Sequence, residues 1–122
     1  MSFKITTTGL PQTKIFLNLK SKNVQLQMQK GLTNAAIFLQ GEVKSSIAGK
    51  RAEHMSVDTG RFLNSVDLNI GNNDAVIFSP LSYAGFLEFG GTRFKGRRHF
   101  NNSKDRNKDK IKEILQVAVN NA

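Results

Sequence analysis

Apolar residues recur every second position at the start of the chain and every third or fourth position soon after. Phe3, Ile5 and Thr7 alternate with Lys4, Thr6 and Thr8, which predicts a short strand over 3–8. Gly9-Leu10-Pro11 ends it, because proline fixes φ and has no N–H to give to a ladder. Residues 12–20 fit both periods: Ile15, Leu17 and Leu19 alternate, whereas Ile15, Phe16 and Leu19 make a helical turn. Over 22–48 the helical period is clear, with Met28, Leu32, Ala35, Ala36, Leu39, Val43 and Ile47 on one side. Ser21 is a fair N-cap and Gly49 a fair C′ residue. Gly31 and Gly41 each cost that helix up to about 1 kcal/mol relative to alanine. Close packing against a neighbouring element is the expected compensation for both.

After a polar loop over 49–58, Val66, Leu68 and Ile70 alternate with Ser65, Asp67 and Asn69, the pattern of a half-buried strand. Gly71-Asn72-Asn73-Asp74 is turn chemistry. Residues 75–79 return as a strand apolar on both faces, hence interior to a sheet, and Pro80 stops it. A short helix is predicted over Tyr83 to Phe89, with Ser82 as its cap and Tyr83, Phe86 and Phe89 as its apolar side. Residues 90–99 read as a basic loop or an irregular strand. The last helix is predicted over 103–120, capped by Asn102 or Ser103. Its first two turns offer no apolar face and are expected to project from the core or to pack on another chain. Ile111, Ile114, Leu115, Ala118 and Val119 then supply one. The whole is one α+β domain over 1–122: a small antiparallel sheet with a long N-terminal helix and a C-terminal helix packed on it.

Composition narrows the chemistry. The chain has 122 residues and no cysteine, so disulfides, thiolate metal sites and cysteine nucleophiles are excluded. No apolar run approaches the roughly 20 residues of a membrane span, and Met1-Ser2-Phe3-Lys4 lacks the apolar segment of a secretory signal. A protein made and kept in the cytoplasm, without membrane contact, is expected. The two histidines, His54 and His99, lie in polar, basic stretches, where a solvated or merely hydrogen-bonded ring is expected. No paired-carboxylate, H-x-x-x-H, EF-hand, phosphate-loop or nucleophile-elbow pattern occurs.

Net charge is +9, and it is segregated. Residues 1–50 hold seven lysines against Glu42, a net of +6. Residues 51–92 hold Arg51 and Arg61 against Glu53, Asp58, Asp67, Asp74 and Glu88, a net of −3. Residues 93–122 hold nine bases against Asp105, Asp109 and Glu113, a net of +6. An acidic middle surface facing basic terminal surfaces suits head-to-tail self-association. Arg93, Lys95, Arg97 and Arg98, interleaved with Phe94 and Phe100, also fit a non-sequence-specific nucleic-acid surface.

Two segments carry more. The first is Val57-Asp58-Thr59-Gly60-Arg61-Phe62-Leu63-Asn64-Ser65-Val66. The second is Ser79-Pro80-Leu81-Ser82-Tyr83-Ala84-Gly85-Phe86-Leu87-Glu88-Phe89-Gly90-Gly91-Thr92. In order and separation, followed by a basic stretch, an aromatic and a C-terminal helix, they resemble the tail-completion (neck, or minor tail) proteins of long-tailed bacteriophages and related tailed viruses. The motif positions are Asp58, Thr59, Gly60, Leu63 and Ser65, then Tyr83, Ala84, Glu88, Phe89, Gly90 and Thr92. Two departures stand out: the extra Gly91 splits the family's Phe-Gly-Thr, and Arg98-His99-Phe100 stands where the family often has Arg-Pro-Phe.

The resemblance implies a structural virion protein with no enzymatic activity and no cofactor. It implies a ring, commonly of six subunits, at the head-proximal end of the tail, assembled in the host cytoplasm. Its neighbours would be a tail terminator or tail-tube protein and the head connector proteins, with DNA passing non-specifically through the lumen. On that reading Arg93, Lys95, Arg97 and Arg98 form a mobile loop, within 90–100, that contacts a neighbouring subunit or the lumen. Gly60 is expected to serve a positive φ or a close backbone approach, with Asp58 or Thr59 capping its turn. Glu88 is expected to pair with Arg61, Arg93 or Arg98, or to reach a neighbouring subunit.

Overall fold

The computed structural model describes residues 2–7, 11–18, 25–51, 53, 55, 60–71, 74–81, 83–90 and 95–120. The predicted α+β architecture is present. Strands β1 (Ser2–Thr7), β2 (Gln12–Asn18), β3 (Asp67–Ile70) and β4 (Asp74–Phe78) form one antiparallel sheet in the order β1-β2-β4-β3. The segment open to both periods is thus a strand. β4 lies inside the sheet, as its two-faced apolar run requires.

Register places Ile5, Ile15, Ala75 and Ile70 in one row across the sheet, with Thr13, Ile77 and Leu68 in the next. These rows face the helices; Ile15, Ala75 and Ile77 are fully buried. Asp67 and Asn69 alternate to the opposite face and are exposed. A Lys14–Asp74 ion pair of 3.2 Å lies at the surface.

Two long helices, α1 (Gln25–Ile47) and α4 (His99–Asn120), cover the inner face. They run antiparallel: Gly31 meets Ala118 near one end, and Ser103 meets Glu42 near the other. Leu32, Ala35, Ala36, Leu39, Val43 and Ile47 of α1 are fully buried, as are Ile111 and Leu115 of α4. Burying such side chains stabilises the fold by about 1.5–3 kcal/mol each. Gly49, at φ 83°, ends α1 in a Schellman motif: Lys50 N–H donates to Ser45 O and Gly49 N–H to Ser46 O.

Three details depart, in whole or in part, from the expected pattern. A five-residue helix, α2 (Arg61–Ser65), precedes β3; one turn is too short to register as a period. Helix α4 begins at His99 rather than 103, and the turn this adds is buried through His99, Phe100 and Asn101; of the two turns expected to project, Ser103 is also inside, whereas Asp105, Arg106, Lys108, Asp109 and Lys110 are exposed as expected. The two glycines of α1 also differ. A Cβ on Gly31 would lie 2.5 Å from the Ala118 Cβ, so Gly31 does permit close helix packing, whereas a Cβ on Gly41 would meet nothing within 4 Å.

Gly41→Ala is therefore expected to raise stability by up to about 1 kcal/mol, and Gly31→Ala to lower it by about 1–3 kcal/mol through overpacking. Urea titrations of the two variants against the parent check both signs.

Candidate functional site

The residues singled out in the sequence converge on the start of α4. Gly60 sits at φ 82° and is the N-cap of α2; its carbonyl accepts from Asn64 N–H at 2.9 Å. A side chain there has room but would be forced into a left-handed backbone. The turn points Phe62 inward, 3 % exposed, between two rings: Tyr83 edge-on at 6.3 Å and His99 tilted at 6.0 Å. Leu63 is half-buried against the core. Ser65 Oγ donates to Phe62 O at 2.7 Å and lies 2.7 Å from Ser79 Oγ, which ties the first motif to the second. Asp58, Thr59, Thr92 and Arg93 lie outside the described residues, as do Ser82, Phe94 and His54.

The second motif folds as α3 (Ala84–Phe89). Among the side chains described, Ala84 and Glu88 are its buried positions, both fully inaccessible and one turn apart. Tyr83 and Phe89, expected on the apolar side, are instead 38 % and 44 % exposed.

Of the expected arginines, the described Arg61 and Arg98 do not pair with Glu88, and Arg93 lies outside the described residues. The Glu88 carboxyl oxygens meet the N-terminus of α4. Oε1 accepts from Phe100 N–H at 2.9 Å; Oε2 accepts from Asn101 N–H at 2.9 Å and from Asn101 Nδ2 at 2.7 Å. The first amides of a helix have no partner within it, and the helix dipole favours an acceptor there. A side chain from a different helix thus supplies α4 with its cap. No local signal in residues 99–103 could have revealed it.

The segment joining α3 to α4 returns on the backbone of α3. Gly90, at φ 86°, bridges to Lys95; Arg97 N–H donates to Leu87 O at 2.7 Å and Arg98 N–H to Glu88 O at 3.1 Å. Gly96 is the close-approach residue: a Cβ on it would lie 2.5 Å from Glu88 O and from Phe89 C. Arg98 is held at φ 54°, an uncommon conformation for a side-chain-bearing residue, and its carbonyl accepts the first bond of α4 from Asn102 N–H. Arg97 Nη1 donates to Met55 O at 3.0 Å, while Lys95 and Arg98 are exposed.

Behind the cap lies a polar relay that sequence reasoning missed. Arg106 grips Glu53 with two hydrogen bonds of 3.0 Å, and Asn102 Nδ2 adds one of 3.2 Å. Ser46 Oγ donates to Glu53 Oε1 and sits 2.7 Å from His99 Nδ1. Burial pushes the Glu53 carboxyl up, but the bonds from Arg106, Ser46 and Asn102 and the Arg106 charge outweigh it and hold it at about 2. Glu53 is therefore ionised and accepts only, so the single Ser46 proton points to it, which assigns the Nδ1 proton to His99. His99 is fully buried and partnered, not solvated. The arrangement is not a nucleophile-and-base set, because the serine is enclosed and stands between the acid and the imidazole.

Among the described residues the acidic middle section keeps Asp67 exposed but turns two of its acids inward. Glu53 and Glu88 are buried and internally satisfied, and Asp74 pairs with Lys14. In the N-terminal section, Arg51 holds Glu42 by two bonds, of 2.8 and 3.1 Å. Comparison with protein-family models, with curated proteins and with solved structures finds no match to this chain.

Glu88→Gln replaces an acceptor oxygen with an amide facing other donors, and is expected to cost about 1–3 kcal/mol. His99→Ala is expected to cost a comparable amount by opening the relay. Because the Glu53 carboxyl is lowered in the folded state, its stabilisation is full above pH 4.5 and is lost as pH falls toward about 2. Thermal melts of the parent from pH 7 to pH 2 should show that decline, and Glu53→Gln should flatten it while melting lower at pH 7.

Proposed function

We propose that the protein is a structural subunit of the neck of a tailed virus. In this reading it completes the tail as a ring and joins it to the head connector, with tail terminator or tube proteins and connector proteins as neighbours. The observation that carries the reading is architectural. The paired motifs around Gly60 and Glu88 pack together through Phe62 and Tyr83, and what they position is the start of a helix, not a reacting group. The departure from the family pattern also falls at a telling place. His99, where the resembling proteins often carry proline, is the first residue of α4. Proline is favoured at that position because its φ is preset and its missing N–H is not needed. Lys95 and Arg98 stand exposed beside the cap, available to a neighbour or to the lumen.

A small basic protein that binds nucleic acid without sequence preference is the second reading. The exposed lysines 108, 110 and 112 of α4 favour it. The spacing of Asp105, Asp109 and Glu113 opposes it, because it sets an acidic ridge beside those lysines.

Immunogold labelling tests the first reading. Antibody raised against the purified protein, applied to tailed particles made from the genome that encodes it, should mark the head–tail junction. Particles without label there would contradict the assignment. DNA binding measured from low to physiological salt separates the second reading, since a phosphate-backbone binder loses affinity steeply through counterion release. Only weak affinity is expected at every salt concentration.

A further inference from the structure

Among the described residues, the outer rims of β1 and β3 have no ladder partner, because the strand order puts them at the two ends of the sheet. A bare strand edge is a template for another strand. Neither edge strand contains proline, a usual device for blunting such an edge. On β3, Leu68 N–H donates to Oδ1 of its own neighbour, Asp67, at 2.8 Å. That side chain stands in for the carbonyl a further strand would bring.

The geometry points to a continuous sheet between subunits, in which β1 of one copy pairs antiparallel with β3 of the next. This seam rests on the ring reading above and names the surface that closes the ring. Four strands, each antiparallel to its neighbour, make the match automatic: a second copy set beside the first in the same orientation presents its β1 antiparallel to the first copy's β3. Charge selects the same pairing. β1 carries Lys4 and no acid, and β3 carries Asp67 and no base. Joining unlike edges sets opposite charges across the seam, whereas joining β1 to β1 brings lysine toward lysine, which is unfavourable.

Burial favours it too. Ile5 on β1 and Leu68 and Ile70 on β3 are only partly buried on the helix-covered face, so joining the edges continues the core from copy to copy. Unlike edges make a heterologous contact, the kind that closes into rings. β3 is four residues long, so each seam is short. The free protein is accordingly a monomer or loose oligomer, and the ring forms on a tail or connector template.

The cysteine-free chain permits a direct test. Thr6→Cys and Asn69→Cys are combined in one chain, and Thr6→Cys with Asp67→Cys in another. Each is treated with a short bismaleimide, both as concentrated protein and in assembled particles. Within one copy these positions are three strand spacings apart, about 14 Å, beyond the reach of such a reagent. A ladder of covalent multimers from a double variant, with each single variant remaining monomeric on a denaturing gel, is the expected result. A covalent dimer from a single variant means that like edges meet, and overturns the proposal. So does the lack of a ladder in both settings from double variants whose circular dichroism melts match the parent. Neck labelling without a ladder removes the seam alone, and a ladder without neck labelling removes the neck reading alone.

Discussion

The start of α4 is held by a carboxyl group that belongs to another helix, and much of the domain's arrangement follows from that contact. Glu88 has no exposure and three N–H donors around its two oxygens. A buried polar group is tolerated only when its hydrogen bonds are made, so α3 must lie where its fifth residue reaches the first turn of α4. That fixes the returning segment, whose amides at Arg97 and Arg98 take up carbonyls at the end of α3. It also explains Gly96, since no side chain fits between that segment and α3. The direction of α4, set here, determines how its apolar stripe meets α1 and the sheet.

The second polar unit, from Arg106 through Glu53 and Ser46 to His99, locks the other side of the same helix start. The Schellman turn at Gly49 is what makes it possible, because it reverses the chain so that Glu53 returns beneath the last turn of α1. These contacts turn acidic residues inward.

The legible part of the sequence was the part governed by local rules. The α1 period, the two-faced apolar run of β4, the turn chemistry at Gly71 and the C′ role of Gly49 each reflect an interaction between residues close in the chain. Gly60 was legible as a backbone requirement, and its φ of 82° agrees. What escaped was non-local. Residues 99–102 read as the end of a basic loop and a cap rather than as the buried first turn of a helix, because the partners of this turn and of Ser103 (Glu88, Ser46, Glu42 and Glu53) lie far away in sequence. Leu63 stood out in the first motif, yet its neighbour Phe62 is the residue that enters the core. Gly41 illustrates the reverse: a helix glycine suggests close packing, and this one has open space around it.

Native-state hydrogen exchange at the Phe100 and Asn101 amides tests the central contact most directly. Helix-terminal amides without a partner exchange readily by local fraying. If Glu88 caps α4, these two amides exchange only through global unfolding, with the same opening free energy as the buried centre of α1 around Leu39. Exchange at the rate of an uncapped helix end, while the amides of α1 remain protected, would contradict the account.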